Sequence, residues 1–315
     1  MKKLSNLWLI GSGIMAINYV SVLKNLKQPF DVIGRGQSSA LLFKKKTGIN
    51  VITGGLKAYL RKTPGPEAAI VAVGVEQLAD VAKALINSGT KNILLEKPGA
   101  LNFKEIKSLN SLANKKKAKV YIAYNRRFYQ PVKQMLKLIK KDEKILSVNF
   151  EFTEWAHAIK PLQFGKGVKE HWLLANSSHV IDLAFYLCGK PKDWKCWNKG
   201  TIDWHSSSAR FCGSGITDKG VMFSYLSDWQ APGRWSLELL TNKNRFVFKP
   251  MEELKVIKLG SVSIETLKSK NKIDKDFAPG LFLQTKNFIE KKDSTFCTLT
   301  EQTENMKIYS KMAGY

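Results

Sequence analysis

Apolar residues follow two rhythms along this chain, and the rhythm changes near residue 125. In the first stretch, short continuous runs alternate with helical stripes. Leu7-Trp8-Leu9-Ile10 is one such run, and Ile14, Ile17, Val20 and Leu23 then fall on one helical face. Residues 30–33 and 49–52 read as further strands, with residues 68–73 a longer apolar run ended by Gly74. Leu78, Val81, Ala82 and Leu85 form the next stripe. Residues 92–95 and 120–124 bracket a helix carrying Phe103, Ile106, Leu109 and Leu112. Continuous runs suit strands buried on both faces, and their alternation with helices predicts a parallel α/β sheet.

Beyond 125 one more helix carries Val132, Met135, Leu136 and Ile139, and then a period of two takes over. Val148, Phe150 and Phe152 alternate with polar residues, as do Val221, Phe223 and Tyr225, and Trp235, Leu237 and Leu239. That pattern marks an antiparallel sheet with one covered face. Asn242-Lys243-Asn244 reads as a turn between strands and Gln230-Ala231-Pro232-Gly233-Arg234 as a loop. Residues 179–187 and 282–312 return to helix. The expected organisation is two domains, 1–124 and 125–315. The first is α/β with a parallel sheet; the second is α+β with a mostly antiparallel open sheet and helices on one face.

Composition narrows the function classes. With 44% hydrophobic and 24% charged residues the chain has ordinary globular composition. It has no apolar run of the ~18 residues a membrane span needs. Residues 1–6 are basic but lead into a strand, so no signal peptide is expected. Four cysteines without C-x-x-C spacing and four scattered histidines argue against a metal site and for free thiols in a reducing cytoplasm. Fifty-one Lys and Arg against 26 Asp and Glu give a net charge of +25. The lysines are spread along the chain and accompany no nucleic-acid-binding signature, so they read as a solvated surface that also attracts anionic small molecules.

Candidate chemistry begins at the first turn. Gly11-Ser12-Gly13-Ile14-Met15-Ala16 joins the first strand to the first helix in a G-x-G-x-x-A pattern. Gly11 permits the turn, Gly13 lets backbone approach a pyrophosphate, and small Ala16 packs helix on strand. The helix start presents N–H groups and a positive dipole end to phosphates. At the end of the second strand stands Arg35, with Ser38 and Ser39 close behind, whereas Asp31 lies at the wrong end to reach a ribose 2′-hydroxyl. A cation with hydroxyls suits a 2′-phosphate, so NADP is favoured over NAD. Ser38 also reads as a helix N-cap. Glu96-Lys97-Pro98 sits at the carboxyl end of a later strand, the edge where open α/β sheets bind ligands.

These elements together resemble the Gfo/Idh/MocA oxidoreductases, which include glucose–fructose oxidoreductase and inositol dehydrogenase. The likeness runs through Gly11 to Ala16, the strand end at Val73 and Gly74, Glu96-Lys97-Pro98, Tyr124-Asn125-Arg126-Arg127-Phe128, and the H-x-x-D helix of His179 and Asp182. It implies a Rossmann-type first domain and hydride transfer between a nicotinamide cofactor and a sugar, polyol or nucleotide-sugar carbon. Cofactor contacts are expected from Gly11, Ser12, Gly13, Ile14, Met15, Arg35, Ser38, Val73, Gly74, Glu96 and Lys97, with Glu96 open to a second reading in which it orients Lys97. The family's lysine maps to Lys97 and its general acid/base to His179, with Asp182 one turn on either to orient the ring or to cap a local network. Imidazole titrates near neutral pH and suits removal of a hydroxyl proton; an ammonium stabilises the oxyanion that develops.

Asn125, Arg126, Arg127 and Asn176 join Lys97 and His179 as expected substrate contacts. Trp155, His157, Trp172, Trp229 and Trp235 are open to two readings, stacking on a sugar ring or packing a core. Two departures stand out. Many family members place Asp or Asn four residues before the histidine, where this chain has Ala175, with Asn176 next to it. Leu78 stands where a further family histidine is sought. They keep open a second reading, a non-catalytic NAD(P)-binding sensor or regulator. The resemblance also implies a homodimer or homotetramer formed through the open sheet face.

Overall fold

The computed structural model describes residues 3–142, 144–268 and 272–315. Two compact units emerge, Met1–Asn125 with Ile273–Glu304, and Arg126–Lys272 with Asn305–Tyr315. Residues 273–304, which the hydrophobic pattern groups with the second domain, cluster with the first unit.

The first unit is built on five parallel strands: β1 (Leu7–Ile10), β2 (Asp31–Ile33), β3 (Ala68–Val71), β4 (Asn92–Leu95) and β5 (Lys119–Ile122). Every residue of β1 and β3 is buried, because helices cover both faces of the sheet. Residues 49–52 do not form the strand expected of them. Ile52 makes only an isolated parallel bridge to Ile33, since Gly54 and Gly55 follow at once and turn the chain. The helix Phe103–Lys115 starts on a capping box: Asn102 accepts from the Glu105 N–H, and the Glu105 carboxylate accepts from the Leu101 N–H.

The second unit holds eight strands: β6 (Ile145–Glu151), β7 (Pro191–Lys199), β8 (Arg210–Thr217), β9 (Met222–Asp228), β10 (Ser236–Thr241), β11 (Asn244–Phe248), β12 (Lys255–Lys258) and β13 (Glu265–Thr266). Their order is β13-β12-β11-β10-β6-β9-β8-β7, antiparallel except for the parallel pair β6 and β9. Alternation sorts the side chains. Phe150, Phe223, Tyr225, Leu237, Leu239 and Phe246 are buried on one face, where the helix Ser178–Cys188 sends Phe185 edge-on against Phe150 and Phe223. The opposite face carries Trp197, Ile216, Met222 and Leu226, all exposed. On this face Trp197 is paired with Cys212 and Cys212 with Leu226 across β7, β8 and β9.

A short strand, β14 (Cys297–Thr298), completes the first sheet in the order β14-β5-β4-β3-β1-β2 and runs antiparallel to β5. It interrupts the helical pattern of the tail, leaving helices Leu281–Ile289 and Leu299–Ala313 on either side. In the second unit His205 is fully buried. Its ring nitrogens meet the Ser208 carbonyl at 2.6 Å and the Tyr315 hydroxyl at 2.7 Å, and it packs against Trp229. Burial pushes its pKa down to about 4, helped by His171 and opposed by the Ser208 carbonyl. No described helix is long and apolar enough to cross a membrane.

Candidate functional site

The turn after β1 has the shape a dinucleotide phosphate needs. Gly11 has φ +118°, and a Cβ there would sit 2.2 Å from the Ala72 carbonyl oxygen, so no other residue fits. Gly13 is different: a Cβ there would meet no protein atom within 4 Å. Its bareness serves nothing inside the protein and leaves room for an approaching ligand. Gly13 is the N-cap of the helix Ile14–Asn25 and provides no side-chain acceptor for the first N–H groups. Ile14 is 77% exposed at that helix start, while Met15 is half-buried. Ser12 turns away, its hydroxyl bonded to Ser39 at 3.1 Å.

Beside the turn, at the carboxyl ends of β1, β2 and β3, lies a cavity of about 330 Å³. Its lining includes Gly11, Arg35, Lys57, Val73 and Glu76. Lys57 is absent from the expected set. It arrives because Gly54 and Gly55 donate to the Arg35 and Gly34 carbonyls at 3.3 and 2.9 Å, which folds the helix Leu56–Leu60 back onto the end of β2. Two cations therefore line one pocket, and the only sequence signal for the second is the Gly-Gly pair before it. Ser38 is not the expected N-cap. The helix begins at Gln37 with Gly36 as its cap, so Ser38 is an exposed residue of the first turn. The bare helix start, the cavity and the cations fit a dinucleotide cofactor.

Glu96 follows β4 and is tied inward. The Tyr19 hydroxyl donates to its carboxylate at 2.8 Å, and Tyr19 is itself fully buried. Burial pushes the Glu96 carboxyl above its ordinary range, while the Tyr19 hydrogen bond and the charge of Lys97 pull it back. One oxygen of Glu96, the residue next in sequence to Lys97, is thus held by a buried phenol. Gln302 donates to the Pro98 carbonyl at 2.9 Å and to Tyr124 at 3.0 Å, which pins the chain just past half-buried Lys97. The Asn125 amide donates to the Pro279 carbonyl at 2.9 Å, so one of its two N–H donors is already used within the first unit.

In the second unit several of the expected site residues are bonded to other side chains. Arg127 is 3% exposed and grips Asp182 with two hydrogen bonds, Nε to Oδ2 at 2.8 Å and Nη2 to Oδ1 at 2.7 Å. Each Asp182 oxygen accepts from this guanidinium. The pair fixes the turn at Asn125–Phe128 to the helix Ser178–Cys188. Asn176 is likewise committed, donating to Glu154 at 2.9 Å beside Ser177 at 2.7 Å. Both lie in a π-helical turn, Leu173–Ser177, directly before the helix that carries half-buried His179. Ala175 is buried in that same turn.

Glu154 is the residue that periodicity did not single out. It is 1% exposed, accepts from Asn176 and Ser177, and forms an ion pair with Arg234 at 3.3 Å. Burial pushes its carboxyl up, while Ser177, Arg234 and Asn176 pull it down. The His179 ring lies 6.1 Å from the Trp235 ring, over which Arg126 also lies, at 4.5 Å. Trp235 and Trp155 thus belong to this polar cluster; Trp235 is buried, as are Trp172 and Trp229, whereas Trp155 is exposed. No cluster of His, Cys, Asp and Glu able to hold a metal occurs among the described residues.

Residues 6–124 match the family model described as the oxidoreductase family, NAD-binding Rossmann fold. Solved structures share the fold over the whole chain. Levoglucosan dehydrogenase in complex with NADH is 17% identical, with a TM-score of 0.79 over 99% of this chain and 96% of that one. An oxidoreductase from Agrobacterium radiobacter, in complex with NAD+, L-tartaric acid and magnesium, is 12% identical, with a TM-score of 0.77 over 97% and 94%. UDP-N-acetylglucosamine 3-dehydrogenase from Acidithiobacillus ferrooxidans is 13% identical, with a TM-score of 0.75 over 98% and 96%. At these identities the likeness establishes fold. No curated protein matches the chain.

Proposed function

We propose that the chain, whose residues 6–124 match the model of the Gfo/Idh/MocA oxidoreductase family with its NAD-binding Rossmann fold, is a member of that family and moves a hydride between NADP and a hydroxyl-bearing carbon of a sugar, polyol or nucleotide sugar. The observation that carries the reading is the Gly11–Gly13 turn, bare toward solvent at Gly13, beside a cavity that Arg35 and Lys57 line. Gly11, Gly13 and the first N–H groups of the helix Ile14–Asn25 would hold the diphosphate. Arg35 and Lys57 would hold the 2′-phosphate, the feature that separates NADP from NAD. When bound, the nicotinamide supplies the site that accepts or donates hydride.

The chain's own groups supply the rest of the chemistry. Lys97 places an ammonium to stabilise negative charge on the reacting oxygen. His179 takes the hydroxyl proton on oxidation and returns it on reduction. Tyr19 and Glu96 position Lys97, and Asp182 acts through Arg127 by holding the helix of His179 in place. The complex of levoglucosan dehydrogenase with NADH and levoglucosan and the nucleotide-sugar name of the Acidithiobacillus enzyme support the substrate class.

Oxidation of a panel of sugars and polyols with NADP and NAD, followed at the nicotinamide absorbance, tests the reading. Turnover is expected from at least one of them, and Lys97→Ala and His179→Ala each lower kcat by roughly 10²–10⁴-fold while cofactor binding persists. Cofactor binding with no turnover across the panel would favour the sensor reading. Its support is that Ala175 has no polar side chain.

A further inference from the structure

A series of cation–π contacts in the second unit has no part in the hydride chemistry. Arg234 lies over Trp155 at 5.0 Å and over Trp235 at 4.7 Å; Arg126 lies over Trp235 at 4.5 Å and over Tyr129 at 5.7 Å. Each guanidinium is thereby restrained by two aromatic rings. What balances their charge differs. Arg234 has Glu154 at 3.3 Å, and the Trp155 indole donates to the Gly233 carbonyl at 2.9 Å, which steadies the loop that carries Arg234.

Arg126 has no such partner. Its side chain forms no ion pair or hydrogen bond among the described residues, and its Nε is fully buried with nothing to donate to. Burial works against its charge, and Tyr129, Glu252 and Glu154 offset this only from a distance. Leaving a buried donor of a charged group unmet is costly, and an oxyanion arriving from solution removes the cost. A planar guanidinium is also the side chain best matched to carboxylate and phosphate. The position is apt, because Arg126 shares the Trp235 ring with His179, the proton-transfer residue.

We propose that Arg126 anchors an oxyanion on the substrate, so that the sugar or polyol handled here carries a carboxylate or a phosphate. The statement that this sugar is oxidised or reduced rests on the hydride-transfer reading; the anion contact itself does not. The charge of +25 draws anions toward the whole surface, but without preference for one position. Arg126 supplies the selectivity.

Calorimetric titration tests this, using matched sugars: glucose, glucuronate and glucose 6-phosphate, and the galactose series. Wild-type protein is compared with Arg126→Met, Arg126→Lys and the surface control Lys243→Met, with folding checked by circular dichroism. An anionic sugar is expected to bind roughly tenfold or more tightly than its neutral parent. Arg126→Met abolishes that preference, Arg126→Lys weakens it because the planar fork is lost, and Lys243→Met leaves it intact. Preference for the uronate or for the phosphate identifies which oxyanion is read. The proposal is overturned if neutral and anionic sugars bind alike or none binds. It is also overturned if the preference survives in folded Arg126→Met, or in folded Arg126→Lys should the methionine variant not fold, or if Lys243→Met removes it equally. Anion binding that needs Arg126, without nicotinamide reduction by any sugar, would sink hydride transfer and leave the anion site standing.

Discussion

Arg35 and Lys57 show how one residue can be read from its neighbours in sequence and another only from its neighbours in space. Arg35 ends β2, where a ribose-binding group is expected, whereas Lys57 lines the same pocket from 22 positions further on. On the proposed 2′-phosphate assignment, NADPH should bind more tightly than NADH in fluorescence titrations. Arg35→Asp is expected to invert that order, and Lys57→Ala to weaken NADPH by about tenfold with little change for NADH, the loss of one charge-assisted contact. Equal affinities for the two cofactors in the wild type would refute the 2′-phosphate assignment. Glycines divide in the same way: Gly11 is demanded by the Ala72 carbonyl, Gly13 by nothing within the protein.

At the scale of elements, the helix Ser178–Cys188 joins packing to chemistry. One side buries Val180, Ile181 and Ala184, and Asp182 reaches the Arg127 fork. Both side chains are at most 2% exposed, so the pair is removed from water and solvent does not screen it. Asp182→Asn strands the Arg127 charge. Urea denaturation should then show a loss of about 3–5 kcal/mol, the usual cost of breaking one member of a buried pair. A variant as stable as the wild type would contradict this role. The i, i+3 spacing of His179 and Asp182 suggested a catalytic couple. Spacing fixes which helix face a carboxylate occupies, but not which distant guanidinium meets it there. The π-helical turn at Leu173–Ser177 was equally hidden, since its apolar residues fit an α-helix as well.

For the whole molecule, two features have measurable consequences. The first is the sheet face bearing Trp197, Ile216, Met222 and Leu226, exposed apolar groups gathered on neighbouring strands rather than scattered singly. We propose that a second copy of the chain covers it, so sedimentation should find a dimer or larger oligomer that Leu226→Lys weakens. A monomeric wild type would exclude the idea. The second is His205, whose pKa falls from the usual 6.5 to about 4 on burial. Its neutral form is the one the fold holds, so the stabilisation is complete above pH 6.5 and is lost as pH falls through 4. Across that window the second unit should lose about 3 kcal/mol from this one group. His205→Gln should flatten the acid limb of the melting temperature against pH; an unchanged limb would assign it to other groups.

The sequence alone determined the two sheet types, the glycine turn, the end of β2 and the placing of Glu96 and Lys97 at a strand's carboxyl edge. All of these follow from local rules: periods of two and 3.6, continuous burial, and the backbone freedom of glycine. Only tertiary structure decided that Lys57 joins Arg35, that Glu96 faces Tyr19, that Arg127 and Asp182 satisfy each other, and that Glu154 and Arg234 pair beside His179. It also returned residues 273–304 to the first unit through β14. Each of these is a contact between segments far apart in the chain. A charge or polar group removed from water must find its complement, but which complement lies within reach is set by how the elements pack, and no local pattern encodes it.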